Sequence, residues 1–195
     1  NKSSTSSGDP MLKQILNDGD VRMRKAVDVV RTELSKIRTG KATTALLDAV
    51  KVDYYGTPTP LNQVGSVSVP DVHLVTVTPW DKGMLPHIEK AIIAANLGLN
   101  PNNDGTVIRV PIPPLNEERR KELAKLVKKF GEEGKVAIRN IRRDTNEHLK
   151  KAEKEEHFSE DDRKRGEIEV QKYTDNHIKE IDSLLTLKEK EIMEV

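Results

Sequence analysis

Hydrophobic residues near the start of the chain recur at intervals of three, four and seven. Their spacing places them on one side of an α-helix, in a heptad-like stripe. Gly40 follows the stripe as a candidate helix terminus. The pattern predicts one long amphipathic helix that needs partners to bury its apolar side. The stripe consists of Leu16, Met23, Val27, Val30, Leu34 and Ile37.

The pattern changes between Lys41 and Leu115, where Val, Thr, Pro and Gly become frequent. Runs rich in β-branched residues predict strands in this section. Residues 85–96, LPHIEKAIIAAN, predict one short helix. Nine of the ten prolines lie here, which confines strands to short lengths and sheet edges. The section is therefore predicted to be a small α+β domain inserted between helical segments. The four predicted strands are VKVDYYG, VGSVSV, HLVTVTP and TVIRVPI.

The helical pattern resumes at Asn116, a candidate N-cap, and extends to about Glu156. A last helix is predicted to begin at Ser159, with Asp162 completing a carboxylate variant of the capping box. Three long amphipathic helices bury their stripes most simply in one bundle. The stripe of the second long helix is Leu123, Val127, Phe130, Gly134, Ala137 and Ile141, and that of the third is Ile178, Ile181, Leu185 and Ile192.

These patterns divide the chain into three parts. Residues 1–10 are predicted to be a disordered tail, either a cloning remnant or the stub of a trimmed transit peptide, with Met11 as the natural start. Residues 11–40 and 114–195 form the three-helix bundle, and residues 41–113 form the small β/α/β domain. Two short connections predict a hinge rather than a rigid fusion. The predicted hinge residues are Thr39, Gly40, Lys41, Pro113, Pro114, Leu115 and Asn116.

Charge is segregated along the chain, although the net charge is only +1. Residues 119–143 contain ten basic residues and three acids, whereas residues 159–195 contain eleven acids and seven basic residues. Seven positions on one side of the second long helix, here named the basic face, carry six cations. This face is either ordinary solvated surface, paired in part with the acidic third helix, or a footprint for a polyanion such as structured RNA. The basic face consists of Lys121, Lys125, Lys128, Glu132, Lys135, Arg139 and Arg142.

The residues that catalysis and metal binding require are missing or scattered. The absence of cysteine excludes disulfides, Cys-ligated zinc and thiol nucleophiles. The five histidines lack the spacing of a helical metal pair and are expected at the surface or its boundary. No phosphate-binding glycine loop or nucleophile elbow occurs, and no apolar run approaches the roughly 20 residues of a membrane span. The chain is predicted to be no enzyme and to use no metal or cofactor.

Four segments carry a family resemblance: SKIRTGKA (35–42), YYGTPTPL (54–61), GLNPNNDGTVIRVPIPPLNEERRKEL (98–123) and VAIRNIRRD (136–144). In order and spacing, from about Met11 to Val195, the chain resembles the bacterial-type ribosome recycling factors. The resemblance implies an L-shaped molecule with an elongated three-helix bundle and a hinged, inserted β/α/β domain. Lys41 stands where many relatives have arginine, and TTALLD replaces a commoner version that contains Ser-Pro.

The resemblance also implies a function and partners. The family binds the ribosome after termination and, with elongation factor G and GTP, splits it into subunits and releases mRNA and tRNA. The bundle is expected to contact large-subunit rRNA, and the small domain to face elongation factor G and the small-subunit protein S12. A cytoplasmic monomer without membrane attachment is expected, or a plastid or mitochondrial matrix protein if the tail is a trimmed transit peptide.

The resemblance assigns rRNA contacts most strongly to Arg142, in the R-N-x-R-R motif, with Arg139 and Arg143 beside it. Arg38, Lys41 and Arg120 fall in other motifs that face rRNA, and the basic face adds Lys128 and Lys135. Two other classes of protein stay open. A coiled-coil adaptor would use the basic face to dock a protein. A hydrolase would need paired acids in the small domain, where Asp48, Asp53, Asp71 and Asp81 are scattered.

Overall fold

The computed structural model describes residues 10–194 as an α+β protein, as the sequence predicts. Contacts divide it into two units, which are described separately below. Among the described residues, one unit contains residues 10–37 together with Glu117–Glu194, and the other contains Arg38–Asn116. The elements are α1 (Pro10–Ser35), β1 (Lys51–Tyr54), β2 (Thr57–Pro60), β3 (Gly65–Asp71), β4 (Leu74–Pro79), α2 (Leu85–Ala94), β5 (Asn102–Asn103), β6 (Ile108–Pro111), α3 (Glu117–Lys154) and α4 (Glu160–Met193).

The first helix differs from its predicted bounds at both ends. It begins at Pro10, one residue before the predicted start, while the rest of the predicted tail, residues 1–9, lies outside the described residues. It ends at Ser35, so Gly40 lies five residues beyond the helix and does not cap it. Lys36 and Ile37 continue in turns through hydrogen bonds to the carbonyls of Glu33 and Leu34. Gly40 nonetheless has a φ of 75°, a conformation that glycine adopts without strain.

Helices α1, α3 and α4 pack against one another in a three-helix bundle. Most of the stripe predicted on α1 is buried, with Leu16 only half-buried. On α3, Gly131 and Ile138 lie in the core, whereas the predicted core residues Phe130 and Ala137 are half-buried. A Cβ atom at position 134 would overlap Val30 Cγ2 and approach Ile181 Cδ1 to 3.1 Å. The helices are therefore in close contact at this glycine.

The predicted start of α4 is confirmed. The Ser159 hydroxyl accepts a hydrogen bond from the Asp162 N–H at 3.2 Å, and the Asp162 carboxylate accepts one from the Ser159 N–H at 3.5 Å. The expectation that all histidines lie at the surface or its boundary is wrong for His177. Its ring is buried between helices, and Nε2 lies 2.7 Å from Asp20 Oδ1 on α1. That carboxylate satisfies a ring nitrogen which burial would otherwise leave unpaired.

The small unit contains an antiparallel four-stranded sheet in the order β3-β4-β6-β5, and a separate hairpin of β1 and β2. Helix α2 contacts β1, β5 and β6 over a core of aliphatic side chains. The four predicted strands and the helix are present; β3 extends two residues further than predicted, to Asp71, and the others are shorter than predicted. The sequence missed β2 and β5, because Pro58 and Pro60 interrupt one and the other has only two residues. Core residues include Val50, Val52, Val75, Val77, Ile88, Ile92, Ile108 and Val110.

No helix within residues 10–194 combines the length and the apolarity that spanning a bilayer requires.

Candidate nucleic-acid interface

The basic face runs along α3 beside its core side, from the flank nearest α4 round to the solvent side. The core side of this helix carries Val127, Gly134, Ile138 and Ile141, all buried. With 3.6 residues per turn, the basic positions fall on the opposite side and on the flank nearest α4. Four cations of the face are exposed to solvent. The exposed cations are Lys121, Lys125, Lys128 and Arg139.

Two cations of the basic face lean against α4. The Lys135 Nζ atom lies 2.5 Å from Asp182 Oδ1, and the lysine side chain is only 17% exposed. Arg142 donates from Nη1 to Gln171 Oε1 at 3.3 Å, and the Gln171 amide donates in turn to Asp175 at 2.9 Å. Pairing with the acidic third helix therefore accounts for Lys135 and holds Arg142 in place. It does not account for the whole face.

The outer part of the face is uncompensated. Lys128 and Arg139 of the face, and Arg143 one position around the helix from it, are exposed and form no ion pair with any residue in the described range 10–194. Like charges on neighbouring turns of a helix repel by a few tenths of a kcal/mol per pair. A surface shaped only for stability would intersperse acids here, whereas a phosphate backbone would turn the repulsion into attraction. The geometry thus leaves exposed cations whose mutual repulsion an anionic partner would relieve.

The flank of α3 that faces α1 has a different character. Asp144 pairs with Arg22 of α1 at 3.1 Å, with both side chains about half-exposed. An apolar groove between the two helices is bordered by Glu33 and Glu133. The carboxylates of Glu33 and Glu133 make this flank less favourable to a bound anion than the cationic side of α3.

Arg120, also predicted to contact rRNA, lies near the start of α3 and is half-buried. Its Nε atom is buried without a hydrogen-bond partner among the described residues. The neighbouring Lys121 lies 3.8 Å from Glu117, one turn earlier, in an exposed pair that contributes little stability. Arg120 therefore belongs to the same helix as the basic face but lies more than two turns from Lys128.

Arg38 and Lys41 belong to the small unit, whereas α3 belongs to the other unit. The exposed Arg38 side chain donates to the backbone carbonyl of Leu97. The predicted hinge residue Gly40 is fastened in the same unit, since its carbonyl lies 2.8 Å from His73 Nδ1. The Ala42 N–H donates to the Val72 carbonyl at 2.7 Å. These bonds fix the N-terminal connector from Arg38 onward to the small unit.

Perturbed carboxyl groups in the structure have structural causes. Hydrogen bonds from the Val107 and Thr106 amides, together with Arg109, lower the pKa of Asp104 to about 2. The guanidinium of Arg165 lowers the pKa of Asp162, and Ser159 adds to the effect. No group of three or more His, Asp or Glu side chains in residues 10–194 is placed to hold a metal ion.

Two residues of α4 that contact the basic face were missed by sequence reasoning, Gln171 and Asp182, as was Asp175, which bonds Gln171. The excess of acids in α4 was visible in the sequence, and it indicated that some pairing would occur. Which acid meets which cation depends on the relative rotation and offset of two helices, and hydrophobic spacing does not determine these to within one residue.

Comparison with known proteins agrees with the resemblance found in the sequence. The family model described as ribosome recycling factor matches residues 30–193. The chain is 55% identical over 185 residues to the ribosome-recycling factor of Syntrophomonas wolfei, covering 95% of this chain and 100% of that protein. It is 53% identical over 185 residues to that of Legionella pneumophila, with the same coverage.

Two solved structures are also similar. A solution structure of the ribosome recycling factor has a TM-score of 0.75 and 44% identity, covering 94% of this chain and 98% of that one. The second shows the T. thermophilus factor and E. coli elongation factor G bound to the E. coli post-termination complex. It has a TM-score of 0.61 and 48% identity, covering 94% of this chain and 99% of that one. Motifs, fold and near-complete matches together show that this chain belongs to the ribosome recycling factor family.

Proposed function

We propose that this chain recycles ribosomes after translation termination by binding large-subunit rRNA through the basic face of α3. The observation that carries the proposal is the uncompensated charge of Lys128, Arg139 and Arg143 on a member of this family. The related T. thermophilus factor binds the post-termination complex together with elongation factor G. Family membership makes the chain a non-enzymatic translation factor, so it needs no active site of its own.

The mechanism follows from the construction of the bundle. Helix α3 has 38 residues, which corresponds to about 57 Å at 1.5 Å per residue. Packing of α1 and α4 along it makes the helix a stiff support for the bound face. In the proposed step, hydrolysis of GTP on elongation factor G supplies the free energy. The anchored bundle then disrupts the contacts between the ribosomal subunits.

The small unit is proposed to receive the push from elongation factor G and to face protein S12. Bending between the units is part of this proposal. Because hydrogen bonds fasten Gly40 and Ala42 to the small unit and Ile37 to the end of α1, the N-terminal connector is proposed to bend between Ile37 and Arg38. Residual dipolar couplings that fit one fixed orientation of the two units in solution would contradict this bending.

The proposed setting is the cytoplasm, with the protein acting as a monomer. Neither GTP nor any metal is assigned to the chain itself. Sedimentation equilibrium of the purified protein tests the monomer directly, because a dimer would double the apparent mass of 21.9 kDa.

The function is tested by polysome breakdown with purified components. Polysomes stalled after termination are incubated with elongation factor G and GTP, with and without this protein. We expect conversion to subunits only when all three are present, and no conversion when a non-hydrolysable GTP analogue replaces GTP. Equal breakdown without the protein would contradict the proposal.

Arg142 tests the site within that function. Arg142→Ala removes one guanidinium of the basic face. In the structure this guanidinium donates a hydrogen bond to Gln171 on α4, outside the bundle core. Weaker co-sedimentation with ribosomes is expected, with an unchanged circular-dichroism spectrum. Wild-type affinity in a natively folded variant would remove Arg142 from the proposed interface.

A further inference from the structure

Two hydrogen bonds in series join Arg142 on α3 to an amide and then to a carboxylate on α4. The Arg142 guanidinium donates from Nη1 to Gln171 Oε1 at 3.3 Å. The Gln171 amide in turn donates from Nε2 to Asp175 Oδ1 at 2.9 Å. Gln171 and Asp175 are four residues apart, which places them on the same side of α4. We name these two residues the α4 polar pair.

Asp175 determines which way the Gln171 amide points. A carboxylate only accepts hydrogen bonds and a guanidinium only donates them, whereas an amide has one end of each kind. Asp175 binds the amide nitrogen, so the amide oxygen is the end that is left to face Arg142. Without the carboxylate, the amide would be free to rotate and to turn its own donors toward those of Arg142. The carboxylate therefore favours the orientation of Gln171 that holds Arg142.

The α4 polar pair holds Arg142 without cancelling its charge. Arg142 forms no ion pair with any residue between positions 10 and 194, and its Nε atom is shielded from solvent without a hydrogen-bond partner in that range. Lys135, two turns earlier on α3, differs because Asp182 pairs with it directly at 2.5 Å. A neutral amide acceptor fixes a guanidinium and leaves its attraction for a phosphate intact.

An arginine that is already oriented binds more tightly than one that must become ordered. The arginine side chain has large rotamer entropy, and a side chain fixed in its bound orientation loses less of it on binding. We propose that Gln171 and Asp175 are positioning residues that hold Arg142 in the orientation in which it contacts ribosomal RNA. The proposal rests on the proposed function, because Arg142 belongs to the basic face that is proposed to bind rRNA.

This role reverses the sign of the effect that charge alone would give. Asp175 is exposed and lies next to a surface proposed to bind a polyanion. Since a carboxylate there repels phosphate, electrostatics alone predicts that Asp175→Ala strengthens ribosome binding. If Asp175 acts by orienting Gln171 toward Arg142, the same substitution weakens binding. The two mechanisms therefore differ in the direction of the change in affinity.

Ribosome affinity of the full chain, measured by co-sedimentation over a range of protein concentrations, tests the proposal. Asp175→Ala is compared with Glu169→Ala, because Glu169 is also a carboxylate of α4 but bonds Lys172 of its own helix at 3.2 Å. We expect Asp175→Ala to lower the affinity about two- to tenfold, as for the loss of one hydrogen bond. Glu169→Ala should leave the affinity unchanged or raise it slightly.

Two further variants separate positioning from an effect on the fold. Asp175→Asn keeps an oxygen that accepts from Gln171, so it should restore most of the affinity. Gln171→Met keeps the length of the side chain but removes the amide, so it should bind as weakly as Asp175→Ala. In an Arg142→Ala background, Asp175→Ala should cause no further loss, because the side chain that it positions is absent.

The outcomes distinguish the positioning role from the proposed site. Unchanged or stronger binding by Asp175→Ala would overturn the positioning role alone. The same holds for an equal loss in the Arg142→Ala background, or for an Asp175→Asn variant as weak as Asp175→Ala. Wild-type affinity of Arg142→Ala itself would remove Arg142 from the proposed interface, and the positioning role with it.

Discussion

Two glycines one turn apart on α3 allow a matched test of the packing in the bundle. A Cβ atom at position 131 would overlap the end of Leu185, and one at position 134 would overlap Val30 Cγ2. Leu185 is half-buried and can rotate toward solvent. Val30 is 2% exposed and β-branched, so its side chain has almost no other rotamer available. The same substitution is therefore expected to have different effects at the two positions.

The magnitudes follow from two opposing terms. Replacing glycine by alanine inside a helix gains about 1 kcal/mol of helix propensity at either position. Inserting a methyl group into a packed core costs about 1–3 kcal/mol. At position 134 both terms apply, so Gly134→Ala is expected to destabilise the bundle by about 0–2 kcal/mol. At position 131 the steric term is small, so Gly131→Ala should be neutral or stabilising by up to about 1 kcal/mol.

Urea unfolding followed by circular dichroism at 222 nm measures the difference. The bundle helices contain 26, 38 and 34 residues and α2 only 10, so the helical signal reports mainly on the bundle. Combining Gly134→Ala with Val30→Ala should recover about 1 kcal/mol relative to the sum of the single changes, since the overlapping methyl group is removed. Equal stability of the two glycine variants, or strict additivity in the combination, would refute this account of the packing.

Two further predictions concern local hydrogen bonds. Ser159→Ala removes the cap of α4 and should lower the free energy of unfolding by about 0.5–2 kcal/mol in the same urea assay, whereas an unchanged midpoint would contradict a stabilising cap. The pKa of Asp104 is lowered from 3.8 to about 2, so its contribution to stability is complete above pH 3.8 and is lost as the pH falls through about 2. A carboxyl ¹³C NMR titration of Asp104 should give a midpoint near pH 2, and a midpoint near 3.8 would contradict the hydrogen bonds described. As a control, Asp104→Asn should remove this part of the pH dependence of stability.

The sequence predicted the long helices well because their burial follows a regular spacing. Met23, Val27 and Val30 are buried as predicted, and the capping box at Ser159 is present. The prediction lost accuracy where packing selects between neighbouring positions. On α3, Gly131 and Ile138 lie in the core where Phe130 and Ala137 were predicted. A spacing of three or four residues does not determine which of two neighbouring positions on a straight helix faces the core.

Other features required the fold itself. Strand β2 has the sequence TPTP, which local propensity excludes from a sheet interior, but it pairs at an edge with β1. The burial of His177 depends on Asp20, 157 residues earlier in the chain, and no local pattern joins them. The basic face was visible as a stripe. Its division into cations paired with α4 and cations left uncompensated was not visible, since that division depends on how the helices are offset.

The central claim is that the uncompensated cations of α3 bind ribosomal RNA. Its most direct test compares ribosome affinity against KCl concentration for the wild type and two triple variants. One changes Lys128, Arg139 and Arg143 to glutamine, and the other makes the same charge change at Lys164, Lys172 and Lys179 of α4. Each lost phosphate contact should lower the slope of log affinity against log salt by about 0.7–0.9. We expect a fall of about 2–3 for the α3 triple and little change for the α4 triple. An unchanged slope for the α3 triple, or equal falls for both, would contradict it.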